Sequence, residues 1–203
     1  MDHNANKRSP ELSGANLQAR SASFGSGPLE TCGRKLRQTR NMKPQALLAE
    51  QIERISDSMA SFIESTEVDV LSWRPEMPSS VGTRTILEMV GECVAVNRRF
   101  AAKLAQESED GIGQPIFVNA QDAVSQIVDS GQKFASVIGN LSDDALAADY
   151  LHAGNQMSGT FLIIGAYRNM AYHCGQINLI QMLKGDAENH RPDSWYGPPR
   201  WRA

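Results

Sequence analysis

Apolar residues recur at helical spacing in four separate stretches of the chain. From Pro44, a residue suited to the first turn of a helix, Leu48, Ile52, Ile55, Met59 and Phe62 follow at intervals of 4, 3, 4 and 3, a seam that packs well against other helices. A Pro- and Ser-containing segment, from Trp73-Arg74-Pro75 to Gly82, breaks the pattern. The spacing then predicts a second helix from about Thr83 to Gln106, with Ile86, Met89, Val90, Cys93, Val96 and Phe100 facing inward. Gly111-Ile112-Gly113-Gln114-Pro115 reads as a loop. Asn119 is a good N-cap for a third helix, and Asp122 in its first turn suits the helix dipole. Val124, Ile127, Val128, Phe134, Val137, Ile138 and Leu141 supply its apolar stripe. Residues 142–157 read as a long connection with one helical turn at Asp143–Ala147. A fourth helix runs from Ser158 to about Lys184 and stops at Gly185, a C-cap glycine.

Four such helices, with no convincing strand and no internal repeat, predict an all-α four-helix bundle over residues 42–190. The one long crossover is expected between helices three and four or between helices one and two.

The fourth helix carries the first chemical clue. Its stripe Leu162, Ala166, Asn169, His173, Ile177, Ile180 places Asn169 and His173 one turn apart on a face directed into the protein. A buried imidazole needs a hydrogen-bond partner or a metal. On helix two, Glu92 borders the apolar face between Met89 and Val96, where a carboxylate also needs a partner. Glu92, Asn169 and His173 are therefore the candidate site. A carboxylate, an imidazole and an amide oxygen form an acceptable ligand set for a divalent metal with open positions for water or substrate. A Glu–His or Asn–His hydrogen bond satisfies the same groups without a metal. Tyr172 and Gln176 are candidates to line the pocket, and no catalytic residue is singled out. Cys93 and Cys174 read as small core residues, the Arg98-Arg99 pair as a solvated face, and His152 and His190 as surface residues.

Composition narrows the function classes. A chain of 203 residues that is 41% hydrophobic can bury one real core. Residues 1–41 hold seven basic residues against three acidic ones, a charge of +4; with −3 for the whole chain, residues 42–203 carry −7. This Ser-, Gly- and Asn-rich segment, without apolar period, reads as a disordered basic extension or a misassigned start upstream of Met42. Residues 191–203 form a Pro- and aromatic-rich tail. The acidic body argues against nucleic-acid binding. Cys32, Cys93 and Cys174 form neither a CxxC motif nor an even disulfide framework, which fits free thiols in a reducing cytoplasm. No apolar run reaches bilayer length, and the N-terminus lacks the apolar core of a secretory signal.

The Trp73-Arg74-Pro75 turn, helix two with Glu92, and Asn169-x-x-Tyr172-His173-x-Gly175-Gln176-Ile177 followed by Leu183-x-Gly185-Asp186 resemble the DinB/YfiT-like superfamily over about residues 43–190. The resemblance implies a right-handed, up-down-down-up four-helix bundle that often dimerises. It also implies a divalent metal held by three histidines, one on helix two and two spaced by four on helix four. Characterised relatives include thiol-dependent transferases and isomerases that use mycothiol or bacillithiol. By position, His173 matches the last of the three histidines, Asn169 stands in place of the preceding one, and Glu92 in place of the one on helix two. What the resemblance implies is thus a cytoplasmic homodimer with a divalent metal (Zn, Ni or Mn) and a small-molecule ligand. Its activity would be that of a thiol transferase of bacillithiol, mycothiol or glutathione type, or of a hydrolase. With two of the three usual histidines replaced, the alternative is a metal-free dimeric binding or stress-response protein.

Overall fold

Each long helix starts at a residue whose chemistry suits a helix N-terminus. The computed structural model describes residues 42–76 and 82–188, together with 190, 192 and 195. Helix α1 (Pro44–Ser65) opens on Pro44, whose missing N–H costs nothing in a first turn. A single turn, α2 (Val68–Leu71), follows. Helix α3 (Ile86–Leu104) starts on a capping box: the Thr85 hydroxyl accepts from the Glu88 N–H at 3.2 Å, and the Glu88 carboxylate accepts from the Thr85 N–H at 2.8 Å. Asn119 caps α4 (Ala120–Gly139) by accepting from the Asp122 N–H at 2.9 Å. Ser142 caps the short α5 (Asp143–Ala147), and Ser158 caps α6 (Gly159–Leu183), which ends before Gly185 at φ +92°.

Cross-helix pairs fix the topology. Gln45, at the start of α1, donates to Asp143 beyond the end of α4 at 2.6 Å, and Ser56 lies against Gly131, so α1 and α4 are antiparallel. The Gln181 amide, near the end of α6, donates to Thr66 Oγ1 at 2.9 Å just past the end of α1; these two helices are parallel. Arg98 meets Gln126 (3.0 Å) and Asn97 meets Ser130 (3.4 Å) where α3 packs on α4; these two helices run parallel, because α3 is antiparallel to α6, α6 is parallel to α1, and α1 is antiparallel to α4. Glu92 faces His173 and Cys93 faces Asn169, which makes α3 and α6 antiparallel. The result is an all-α up-down-down-up bundle in which α1 packs on α4 and α6, and α3 packs on the same two. Its core is built from Ile52, Met59 and Ile63 of α1, Ile86, Val90 and Val94 of α3, Ile127, Phe134 and Ile138 of α4, and Leu162, Met170 and Ile177 of α6, all buried. No helix among the described residues is long and apolar enough to cross a membrane.

Two features differ from the sequence-based expectation. The overhand crossover lies between α3 and its parallel neighbour α4, in residues 105–119, rather than between helices one and two or three and four. This segment climbs back along α3: Arg99 donates to the Ile112 carbonyl at 3.0 and 2.9 Å, and Pro115 and Phe117 pass over Gly91. Eight residues of helix rise about 12 Å, a span that four extended residues cover at about 3.3 Å each. Arg99 is exposed, as expected of a solvated face, and also braces the crossover; Arg98 is half-buried and engaged by Gln126.

The second difference is an antiparallel hairpin, β1 (Asp149–His152) with β2 (Asn155–Ser158), in the connection between α5 and α6. Its two-residue turn, Ala153-Gly154, has both residues at positive φ (+49° and +80°), as a type I′ turn requires. Alanine is a poor residue there and hides the usual Asn-Gly signal. His152 consequently lies on a strand, with its ring edge-on to Phe100 at 4.9 Å. The predicted turn at Asp143–Ala147 coincides with α5. Of the expected tail, Trp195 donates to Ser58 at 2.7 Å on α1; residues 1–41 and most of 191–203 lie outside the described residues.

Candidate functional site

The antiparallel crossing of α3 and α6 leaves a cleft of about 600 Å³ beside the N-terminal half of α3. Glu92 reaches it from α3, and Asn169, Tyr172, His173 and Gln176 from α6, at the i, i+3, i+4 and i+7 spacing of one helix face. Met89, Leu179, Ile180, Leu183 and Pro75 supply an apolar wall. Arg84, one residue before the α3 cap, completes the lining from the rim.

His173 is 4% exposed and its two ring nitrogens see different surroundings. Nδ1 lies 2.7 Å from Gln176 Oε1, and the other end of that amide donates to the Tyr172 hydroxyl at 3.0 Å. This orientation of Gln176 presents an acceptor to Nδ1, which therefore carries the proton and leaves the lone pair on Nε2. Nε2 is buried, has no hydrogen-bond partner and faces Glu92 Oε1 at 3.6 Å, beyond hydrogen-bond reach. Burial holds the imidazole below its ordinary pKa; the Gln176 hydrogen bond opposes this, and the Arg84 charge adds to the lowering. The other Glu92 oxygen, Oε2, is in an ion pair with Arg84 Nη1.

A ring nitrogen with a free lone pair and a carboxylate oxygen, facing one another across 3.6 Å, form an arrangement that a cation can bridge. The separation lies within the span reached by two donors each about 2.0–2.2 Å from one ion. A histidine that donates through Nδ1 to an amide oxygen, and a carboxylate whose second oxygen is held by an arginine, are the outer-shell arrangements that orient ligands toward a metal. The donor set thus fits a divalent ion at two positions. The third predicted residue, Asn169, lines the same cleft one turn from His173, and its amide nitrogen contacts Cys93 Sγ at 3.6 Å. Among the described residues no group of three or more His, Cys, Asp or Glu side chains is placed to hold a metal, so any ion here has two firm protein ligands and is otherwise open.

The two described cysteines are not nucleophiles. Both are buried; desolvation raises the Cys93 thiol far above its ordinary pKa and pushes Cys174 up to about 12. In a Cys32→Ser background, a maleimide reagent at pH 8 should leave both thiols unlabelled in the native protein and label both in denaturant. Rapid native labelling of either one would contradict this burial.

Sequence reasoning missed Arg84. The signal was present: Thr85-x-x-Glu88 is a capping-box pattern, which starts the helix at Thr85 and puts Arg84 two turns before Glu92 at the cleft rim.

No protein-family model matches the chain, and no curated protein matches it either. Among solved structures, the chain is similar to a DinB-like protein from Bacillus cereus, with 13% identity and a TM-score of 0.54 over 65% of this chain and 87% of that one. It is similar too to a DinB-like protein from Bacillus subtilis, with 15% identity and a TM-score of 0.57 over 76% of this chain and 99% of that one. At these identities the likeness is one of fold: the chain has the DinB-like four-helix-bundle architecture.

Proposed function

We propose, from the DinB-like fold and the cleft chemistry together, that this chain is a DinB-like protein that binds a divalent cation between His173 and Glu92, with Asn169 alongside. In this reading it acts on a small molecule in the cleft, as a thiol transferase of bacillithiol, mycothiol or glutathione type or as a hydrolase. The observation that carries the reading is the orphaned His173 Nε2 facing Glu92 Oε1 at 3.6 Å. A bound Zn²⁺, Ni²⁺ or Mn²⁺ supplies Lewis acidity, which lowers the pKa of a coordinated thiol or water.

The chain's own residues have distinct parts. Gln176 keeps the Nδ1 proton in place and so keeps Nε2 a lone-pair donor; Tyr172 holds Gln176 in that orientation. Arg84 fixes the Glu92 carboxylate through its second oxygen. Met89 and Ile180, both buried, keep water from one side of the cleft. Because Cys93 and Cys174 are buried with raised pKa values, neither of these two described thiols supplies the nucleophile, and a thiol brought by a substrate fills that part in this reading.

Elemental analysis tests the metal directly. The protein is incubated with excess Zn²⁺, Ni²⁺ or Mn²⁺ and dialysed, alongside His173→Ala and Glu92→Ala. The expected result is an ion retained by the parent chain and lost from both variants; a parent chain that retains none of the three sinks the reading.

The alternative, a metal-free dimeric binding protein, draws support from Arg84, which already neutralises Glu92 without any ion. Dimerisation itself is favoured by α6, which has Arg168 as its one charged residue in 25. Phe161, Ile164, Tyr172, Leu179 and Met182 are exposed on it, and at 100° per residue they lie within about 100° of arc on one face. If a second copy covers this face, Ile164→Glu with Met182→Glu converts a dimer into a monomer in sedimentation-equilibrium runs. Unchanged mass in the double variant would place any dimer contact elsewhere.

A further inference from the structure

We propose that Arg84 is the ligand-recognition residue of the cleft, and that its ligand is a small organic monoanion with an apolar body, whose carboxylate takes over the guanidinium from Glu92. The assignment rests on the reading of this cleft as a ligand site.

Arg84 is held in place by its neighbours. The Arg74 guanidinium donates to the Thr83 carbonyl and pairs with Glu88 at 2.5 Å, while Thr85 is fixed by the capping box. The residues on both sides of Arg84 are thus held by hydrogen bonds, and its side chain leaves from the rim of the cleft. That side chain is 50% exposed and touches Glu92 through one terminal nitrogen and one oxygen. A guanidinium has five N–H donors in a planar fork and matches a carboxylate best with two parallel bonds. The Arg84 side of this pair is half exposed, although the Glu92 oxygen that it meets is buried, so the guanidinium can be approached from the cleft. An incoming carboxylate that docks on the fork can displace the Glu92 contact.

Charge and shape define the rest of the ligand. Glu92 and Arg84 carry opposite charges at the cleft, so without an ion the lining sums to zero. A divalent ion would leave two surplus positive charges, which an anionic ligand reduces. The lining also includes Met89, Ile180 and Leu183, which suit a short alkyl or aryl body, and about 600 Å³ accommodates a molecule of that size. Transfer of Arg84 to the ligand frees the second Glu92 oxygen for the cation. Ion and anion should then bind with positive coupling, and that coupling is reciprocal.

The test uses the full chain and two probes of the same shape, octanoate and neutral octanamide, followed by isothermal titration calorimetry with and without Zn²⁺. The parent protein should bind octanoate at least tenfold more tightly than octanamide. Arg84→Met should erase that preference by weakening octanoate far more than octanamide, whereas Arg84→Lys should keep part of it. Arg84→Gln replaces the methionine variant if that one does not give a native far-UV spectrum and melt. Equal binding of the two probes by the parent chain, binding of neither, or a preference that survives in the neutral variants would each overturn the assignment. The metal reading fails separately: if octanoate preference depends on Arg84 but no Zn²⁺, Ni²⁺ or Mn²⁺ binds, the anion assignment stands and the metal one falls. If ions bind through His173 and Glu92 but the octanoate preference is missing, the reverse holds.

Discussion

Replacing Gly131 by alanine is expected to destabilise the bundle by about 3 kcal/mol, the upper part of the range for overpacked cores. Gly131 lies on α4 where that helix crosses α1, and an added Cβ would sit 2.2 Å from Ser56 Oγ and 2.7 Å from Ser56 Cβ. Ser56 has no room to yield. It is fully buried, its hydroxyl donates to the Ile52 carbonyl at 2.8 Å, and the same oxygen lies 3.6 Å from the Met170 sulfur. Relief therefore requires α1 and α4 to move apart, which opens packing along both helices. For a domain of this size each kcal/mol shifts Tm by about 2–4 °C, so a fall of roughly 6–12 °C should appear in thermal melts. Gly139→Ala serves as the matched control. It lies in the last turn of α4, an added Cβ there meets nothing within 4 Å, and alanine is the better helix former. Its Tm should hold or rise. Adding Ser56→Gly to Gly131→Ala should recover part of the loss, since it removes the atoms that collide. A Gly131→Ala protein as stable as the control would mean that α1 and α4 do not approach this closely in solution.

The same crossing shows which parts of the fold were legible in the sequence. Helix periodicity and caps were local signals: Pro44, Asn119, Ser158 and Gly185 each mark an end by their own chemistry, and the observed ends agree with them. The crossover was not legible in the apolar pattern, because the periodicity of α3 and α4 is the same whether they run parallel or antiparallel; only the family resemblance, with its up-down-down-up order, implied it. What decides it is tertiary: Arg99 bracing Ile112, and a Gly91 small enough for Pro115 to pass. The hairpin was missed for a different reason. Its turn uses Ala153 at a φ that alanine rarely adopts, so Gly154 stood without the Asn or Asp that usually precedes it in such a turn. At the site, Glu92 and His173 could be singled out because a polar residue on an apolar stripe is an anomaly within one helix. Arg84 is no anomaly in its own segment, and gains its part only when the α3 start is placed against α6. The direction of the His173 lone pair was also beyond reach, since it depends on which end of the Gln176 amide faces the ring.

Asn169→His is expected to raise Zn²⁺ affinity at least tenfold, about 1.4 kcal/mol or more of binding free energy. Asn169 lines the cleft one helical turn from His173, where side chains four apart are neighbours. A neutral amide oxygen is a poor ligand for zinc, and imidazole is a good one. The substitution would turn a site with two firm ligands into one with three, the number that open zinc sites use. The cost is small: position 169 is partly buried at the cleft wall, and the contact given up is the 3.6 Å approach of its amide to the Cys93 sulfur, a weak acceptor. The measurement is a competition titration against a chromophoric zinc chelator at fixed pH, on the parent chain, Asn169→His, and Asn169→His combined with His173→Ala. The combined variant should fall back toward parental affinity or below, because the new imidazole gains its effect by sharing an ion with His173. If Asn169→His leaves affinity unchanged, or if its gain survives the loss of His173, then residues 92, 169 and 173 do not converge on one ion. Any ion would then rest on Glu92 and His173 alone, and the metal reading would be decided by whether the parent chain retains one.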